Sequence, residues 1–382
     1  MINIKRSFLC LMLCVVLALA APLHAVCAEF SGQYDAKSVI LIEAQTGKVL
    51  YEDNADTALP PASVTKIMTL LLICEALARE DIKLTDEVPV SENAASMGGS
   101  QVFLKVGEKM TVDEMLKSIT VASANDCAVA MAEFIAGSES AFVSRMNERA
   151  EQLGMTNTYF ENPTGLDDTA VRHLTSARDI ATMSRELLKH PIIFDYTTIW
   201  MDTIRNGQFG LTNTNKLIRF YDGANGLKTG STSKAKFCIS AAAKRDGMQL
   251  ICVVMASSTS SARNECAKLL LDFGFANYGT VNYSPATLPP IAVKGAAADD
   301  VSVSHSGFSA LLDKSDTKKV TYEIDVPEYL TAPVKAGDTI GSVKYILNGE
   351  TIGQSDIIAD CDTPRIGFFQ MLTYMIKSFL SC

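Results

Sequence analysis

Ser63 and Lys66 stand three residues apart in Ser63-Val64-Thr65-Lys66. At helical spacing, residues three apart share a face, so an amine sits beside a hydroxyl. A serine is a weak nucleophile at neutral pH and needs a nearby base. A lysine can be that base when it is neutral, and desolvation or a neighbouring cation lowers its pKa. If the pair opens a helix, free backbone N–H groups there can also stabilise a developing oxyanion. The same spacing recurs at Ser231/Lys234, Ser233/Lys236 and Ser315/Lys318. Those pairs lie in strand-like or loop-like sequence, where it does not align the side chains. Alone, Ser63/Lys66 also fits a capped helix with a solvated lysine.

Two further groups change the weight of the first. Ser123-Ala124-Asn125 falls in a break between helical stretches; its hydroxyl can relay a proton and its amide can hold a substrate carbonyl. Ser and Asn are equally ordinary as caps and turn formers. Lys228-Thr229-Gly230 leads, through Ser231, towards a strand near Lys236. A strand edge can pair with an extended peptide, Gly230 leaves room for close backbone approach, and Lys228 and Thr229 can bind a carboxylate.

The elements that must position these groups follow from periodicity and turn chemistry. Lys37–Glu43 and Gly47–Tyr51 read as strands around Gln45-Thr46-Gly47. Pro60-Pro61 stops the chain, and helical spacing runs from Ser63 to Ala78 with Ile67, Leu70, Leu71 and Cys74 towards a core. Further helices are expected over Val112–Ile119, Asp126–Ala136, Ala141–Leu153 and Ser176–Leu188, the last capped by Thr175 or Ser176. Lys236–Lys244 and Gln249–Ser257 flank Arg245-Asp246-Gly247, a good hairpin turn, and Asn264–Phe273 reads as a helix. This order suits an antiparallel sheet flanked by helices from both chain ends. Residues 281–362 alternate short strand candidates with Pro and Gly turns, as in Val320–Val326 and Ser342–Leu347, and read as a small all-β domain. In residues 365–382, Ile366, Phe369, Leu372, Met375, Ile376, Phe379 and Leu380 fall on one helical arc, the pattern of an amphipathic helix lying in a membrane surface.

Residues 1–28 read as a signal peptide: Lys5 and Arg6, an apolar run from Phe8 to Ala21, and small residues up to cleavage after Ala28. The protein is then exported, and residues 29–278 form the first folded domain. The formal net charge of −9, without a basic tract, argues against a nucleic-acid partner. Cys74, Cys238 and Cys252 lie in apolar runs, so mostly free, buried thiols are expected. No Cys/His spacing suggests zinc, and no metal or organic cofactor is indicated.

Taken in order, S-x-x-K, S-x-N and K-T-G make the chain resemble the low-molecular-mass penicillin-binding proteins, the serine-type D-alanyl-D-alanine carboxypeptidases. The resemblance extends through Pro61-Ala62-Ser63-Val64-Thr65-Lys66-Ile67-Met68-Thr69, Asn162-Pro163-Thr164-Gly165-Leu166, His173–Asp179 and Ala332–Asp338, or roughly residues 30 to 380. It implies a serine transpeptidase/β-lactamase-like α/β (α+β) domain with a helical subdomain, a C-terminal β-sandwich domain, and an amphipathic membrane anchor. It further implies that Ser63 attacks the bond between two terminal D-alanines of a peptidoglycan stem peptide, that Lys66 is the base, and that Ser123 passes the proton on with Lys228 close by. Asn125 would orient the substrate, Thr229 would contact its carboxylate, with Arg263, after the second hairpin strand, a secondary candidate for that contact that also fits a surface arginine at a helix start, and the N–H groups of Ser63 and Ser231 would form the oxyanion hole. β-Lactams, which mimic the substrate, would acylate Ser63, and the protein would work on the extracytoplasmic face of a bacterial membrane. Two rival readings stand beside this one. A serine β-lactamase would need a Glu to activate its deacylating water, for which Glu161 is the nearest candidate; a non-catalytic peptidoglycan-binding protein would need none of the three groups intact.

Overall fold

The computed structural model describes residues 30–168 and 170–380; the segment read as a signal peptide lies outside them, as do Ser381 and Cys382. Five strands make the first sheet: β1 (Ser38–Glu43), β2 (Val49–Asp53), β3 (Ala224–Thr232), β4 (Lys236–Arg245) and β5 (Met248–Ser257). Their order is β2-β1-β5-β4-β3, every neighbour antiparallel. The order leaves β3, which carries Lys228-Thr229-Gly230, as an edge strand.

The β1–β2 turn closes on Glu43, whose carboxylate accepts from the backbone N–H groups of Gln45 and Thr46 and from the Thr46 hydroxyl. Gly47 follows at φ 76°, so the second strand starts two residues later than its sequence pattern suggests. The β4–β5 turn places Asp246 and Gly247 at φ 48° and 83°, the two positive values a tight hairpin with the right-handed strand twist demands.

The helices that bear on the site and its placement are α1 (Lys66–Ala78), α2 (Val112–Lys117), α3 (Asn125–Ala136), α4 (Glu139–Gln152), α5 (Ala177–Leu187), α6 (Ser260–Asn277) and α7 (Phe368–Leu380). Helix α1 is apolar nearly all round. Beyond the expected Ile67, Leu70, Leu71 and Cys74, it also buries Met68, Ile73 and Ala76, as befits a central helix. Ser176 caps α5, as one of the two expected residues, through the Asp179 N–H. Helices α4 and α6 start earlier than their apolar spacing indicates, because Ser138 and Thr259 cap them through the N–H groups of Ala141 and Ala262. For α6 this moves Arg263 into the first turns of the helix.

An all-β region begins at Tyr278, directly off α6. Tyr278–Tyr283 pairs with Phe308–Asp313, and six more strands form a second sheet, with Thr321–Asp325 and Tyr329–Thr331 at its edges. The two-stranded ribbon covers part of that sheet through stacked rings: Tyr345 lies 4.2 Å from Phe308 and 4.8 Å from Tyr283. Gly353 makes room for this stack, since a Cβ there would meet the Phe308 ring at 2.0 Å. The buried core of the sheet is Val301, Val303, Val343, Tyr345, Ile357 and neighbours.

Candidate active site

Ser63 sits on a 3-10 turn, Ala62–Thr65, that runs directly into α1. At three residues per turn, positions i and i+3 eclipse, so Lys66 stands over Ser63 more squarely than an α-helical start would place it. Lys66 Nζ lies 3.1 Å from Ser63 Oγ, 2.6 Å from Asn125 Oδ1 and 2.8 Å from the Thr164 carbonyl oxygen. The Asn125 amide is oriented by its other end, because its Nδ2 donates to the Gly98 carbonyl at 2.7 Å. Two of the three contacts of Lys66 are therefore oxygens that can only accept. A neutral amine has two protons and one lone pair. In that form its protons would go to Asn125 and Thr164, leaving the lone pair for the Ser63 hydroxyl.

The amine is held well below its ordinary pKa, first by complete burial and then by the charge of Lys228, with buried Asp126 acting in the opposite sense. Lys228 is itself buried and its amine is lowered to about 7, by desolvation and then by Arg263; its Nζ donates to the Thr229 carbonyl at 3.0 Å.

Ser123 follows a π-helical turn, Ser118–Ala122, that continues α2, and it adopts φ 63°, ψ 32°. Such turns and left-handed non-glycine residues are strained and concentrate at functional sites. Its Oγ is buried and has no hydrogen-bond partner among the described residues. Asn125 opens α3, which directs its amide to Lys66 and leaves it 2% exposed. The structure thus brings Asn125 to the Lys66 amine, and the surface of the cleft is formed by others.

That cleft, about 210 Å³, is lined by Ser63, Ser123, Thr229, Gly230, Ser231 and Arg263, together with Ser100, Thr214 and Lys216. Edge strand β3 crosses the Ser63 turn at Gly230, where a Cβ would lie 2.8 Å from the Ser63 nitrogen and 2.9 Å from Pro61 O and Val64 N. Only glycine permits that approach, and it sets the Ser63 N–H beside the strand that carries Ser231. Thr229 Oγ1 donates to Thr214 Oγ1 at 2.8 Å. Arg263 is 5% exposed, with its guanidinium on Asn264 Oδ1 and the Cys238 carbonyl and no acidic partner among the described residues. Burial lowers its pKa to about 10, which still leaves a cation at neutral pH. A larger cavity of about 500 Å³ between Arg245 and Lys318 holds none of these groups.

The predicted site residues therefore meet at one place, Lys66, Lys228 and Asn125 behind the cleft wall and Ser63, Ser123, Thr229, Gly230, Ser231 and Arg263 lining it. Several contributors were not foreseen: the Thr164 carbonyl, the cleft residues Ser100, Thr214 and Lys216, and Asp126, whose carboxylate accepts from the N–H groups of Val102 and Leu104 and so holds the loop bearing Ser100. Glu161, the residue a β-lactamase reading would need, uses its carboxylate to accept from the Val171 N–H at 2.8 Å. Cys74, Cys127, Cys238, Cys252 and Cys266 are free and buried, and Cys361 is free and exposed.

Residues 24–259 match the D-alanyl-D-alanine carboxypeptidase family, and residues 291–365 match the penicillin-binding protein 5 C-terminal domain. The chain is 44% identical over 346 residues to D-alanyl-D-alanine carboxypeptidase DacF of Bacillus subtilis, covering 89% of this chain and 88% of that protein. It is 34% identical over 366 residues to DacA of Escherichia coli K12, covering 90% and 88%. Among solved structures, penicillin binding protein 5 from Haemophilus influenzae superposes with a TM-score of 0.71 at 29% identity, over 88% of this chain and all of that one. Penicillin-binding protein D2 from Listeria monocytogenes, in an ampicillin-bound form, superposes with a TM-score of 0.58 at 28% identity over 63% of this chain and 97% of that one.

Proposed function

The chain belongs to the D-alanyl-D-alanine carboxypeptidase family of serine-type, penicillin-binding hydrolases, and from that premise we propose how its own residues carry the reaction. Ser63 Oγ attacks the carbonyl between the two terminal D-alanines while its proton passes to the neutral Lys66 amine. The oxyanion is received by the N–H groups of Ser63 and Ser231, aimed at the position where charge develops. Ser123 hands a proton from Lys66 to the departing D-alanine nitrogen, with Lys228 alongside. Water then cleaves the ester and restores the hydroxyl. The outgoing residue's carboxylate is held by Thr229 and Arg263, and the peptide backbone lies along the free edge of β3. Asn125 acts by holding the Lys66 amine in register. A β-lactam follows the same first step and leaves an ester on Ser63.

The observation that carries this assignment is the contact set of Lys66: 3.1 Å to Ser63 Oγ, with two acceptor-only oxygens taking its other positions. Intact-mass analysis after penicillin treatment, followed by peptide mapping, tests it. One adduct on the peptide containing Ser63, and loss of D-alanine release in Ser63→Ala, are expected. Release that survives Ser63→Ala, or an adduct elsewhere, overturns it.

The same proposal extends to placement. Residues 1–28 direct export and are removed, the mature chain from residue 29 works outside the cytoplasmic membrane, and the segment 365–382 anchors it there. Among the described residues no single helix is long and apolar enough to cross a membrane. Helix α7 has no acidic residue, and exposes Phe368, Phe369, Met371, Leu372 and Ile376, which suits a helix lying in the interface. The β domain, 281–362, then serves as a spacer between that anchor and the catalytic domain, 29–278.

A further inference from the structure

The turn that offers its carbonyl to Lys66 belongs to a segment, residues 161–168 and 170–173, held against the Ser63 turn, α1 and the exit of β3. Thr69 Oγ1 donates to the Pro163 carbonyl at 2.7 Å. Asn162 ties the turn itself: its Oδ1 accepts from the N–H groups of Thr164 and Gly165, and its Nδ2 donates to the Leu166 carbonyl. Gly165, at φ 84°, lies so near the nucleophile turn that a Cβ would fall 1.8 Å from the Ala62 carbonyl oxygen. At the far end, Asp167 accepts from the Thr232 hydroxyl, and its carbonyl from Lys234 Nζ, both at the exit of β3.

The joint between this segment and the catalytic turn is His173. Its Nδ1 accepts the Glu161 N–H at 3.0 Å, which leaves the ring proton on Nε2, and Nε2 lies 2.8 Å from Thr65 Oγ1. Thr65 directly precedes Lys66. The ring is 4% exposed and packs edge-on against Phe160. Burial keeps it neutral, with a pKa lowered to about 4, so this arrangement of one donor and one acceptor holds at neutral pH.

We infer that His173 is a positioning residue for the reaction: it bridges Thr65 and Glu161 so that the Thr164 carbonyl keeps its hold on the Lys66 amine and the lone pair stays on Ser63. The inference rests on the roles of Ser63 and Lys66 proposed above. His173→Asn can keep an acceptor near the Nδ1 position and loses the donor to Thr65; His173→Gln can keep a donor near Nε2 and loses the acceptor for Glu161. Thr65→Val breaks the joint from the other side, with the ring in place.

The test uses the full chain, restricted to variants that unfold cooperatively, and measures the acylation rate at saturating penicillin together with kcat and KM for a peptide ending in D-Ala-D-Ala. His173→Asn and Thr65→Val are each expected to slow acylation and lower kcat by about 10-fold, the scale of one broken buried hydrogen bond. KM should move little, and the double variant should be no slower than the slower single. If the histidine variants do not fold, Thr65→Val alone decides. Folded variants that acylate at the wild-type rate, a loss confined to KM, or losses that multiply in the double variant overturn the inference. A wild type that forms no adduct on Ser63 refutes the underlying assignment instead, so the two failures are distinguishable.

Discussion

Gly230→Ala is the sharpest single perturbation of the site. The added Cβ would sit 2.8 Å from Ser63 N, 2.9 Å from Pro61 O and 2.9 Å from Val64 N. All three are backbone atoms, so no side chain can swing aside. Ordinary carbon contacts begin near 3.4 Å, so β3 and the nucleophile turn must separate by roughly 0.5 Å. The two proposed oxyanion donors lie on opposite sides of that contact, Ser63 on the turn and Ser231 on the strand. Separation therefore widens the hole itself. Losing one such donor costs about 10²–10³ in rate, and a misplacement of about 1 Å costs about 10²; a shift of half that size implies roughly 10- to 100-fold slower acylation. Overpacking should also lower stability by about 1–3 kcal/mol, leaving a folded protein. Acylation by a fluorescent penicillin, with thermal unfolding measured in parallel, reads both effects. A folded Gly230→Ala variant that acylates at the wild-type rate refutes the claim that this strand and this turn jointly form the hole.

Three other outcomes follow from the same geometry. Lys66 and Lys228 are buried with amines lowered chiefly by desolvation, Lys228 to about 7; a lowered folded pKa gives stability that is present above the unfolded value near 10.5 and is lost as pH falls through the folded one. Unfolding free energy should therefore climb between pH 7 and about 10, and Lys228→Met should flatten the climb; denaturant titrations over that range that show no difference between the two proteins would count against a buried neutral amine. Arg263→Ala should raise KM about 10-fold or more for peptides ending in a free carboxylate, the scale of a lost charged hydrogen bond, and should leave peptides with an amidated C-terminus unaffected; equal losses on both would remove Arg263 from carboxylate recognition. A chain ending at residue 365, before the exposed Phe368, Phe369 and Leu372, should no longer float with anionic phospholipid vesicles while keeping its acylation rate, and undiminished flotation would separate α7 from any membrane role.

Much of the fold was legible because local chemistry stated it. Arg245-Asp246-Gly247 reads as a hairpin turn because two positive φ values are needed there and Asp-Gly supplies them. The strands on either side are continuous apolar runs and pair as expected. Two kinds of feature were not legible. Helix α6 begins at Ser260, outside its apolar spacing, because a side-chain cap at Thr259 decides the start. The sheet order was also hidden: β1 pairs with β5, more than two hundred residues on. Alternation and apolar runs identify a strand but carry no label for its partner. That β3 ends up on an edge, the property that opens it to an extended peptide, emerges only from the complete order.

The site divides along a similar line. Ser63, Lys66, Ser123, Asn125 and the 228–231 run were visible because their chemistry lies in side chains at telling spacings. The feature that determines what Lys66 can do is only half of that kind. Of the two acceptors that leave its lone pair on Ser63, Asn125 belongs to a motif, whereas the Thr164 oxygen is main chain and would be the same atom on any residue. What residue type does disclose is the cost of bringing that oxygen so close: a glycine next to it at Gly165, where any Cβ strikes Ala62, and an Asn162 whose Oδ1 accepts three times within its own turn. The sequence Asn162-Pro163-Thr164-Gly165 thus encodes a backbone approach, and its function becomes readable only when the chain it approaches is known. The proposed role of Lys66 as base depends on tertiary contact between segments nearly one hundred residues apart, which is why a spacing of three can suggest the base but cannot by itself make the lysine one.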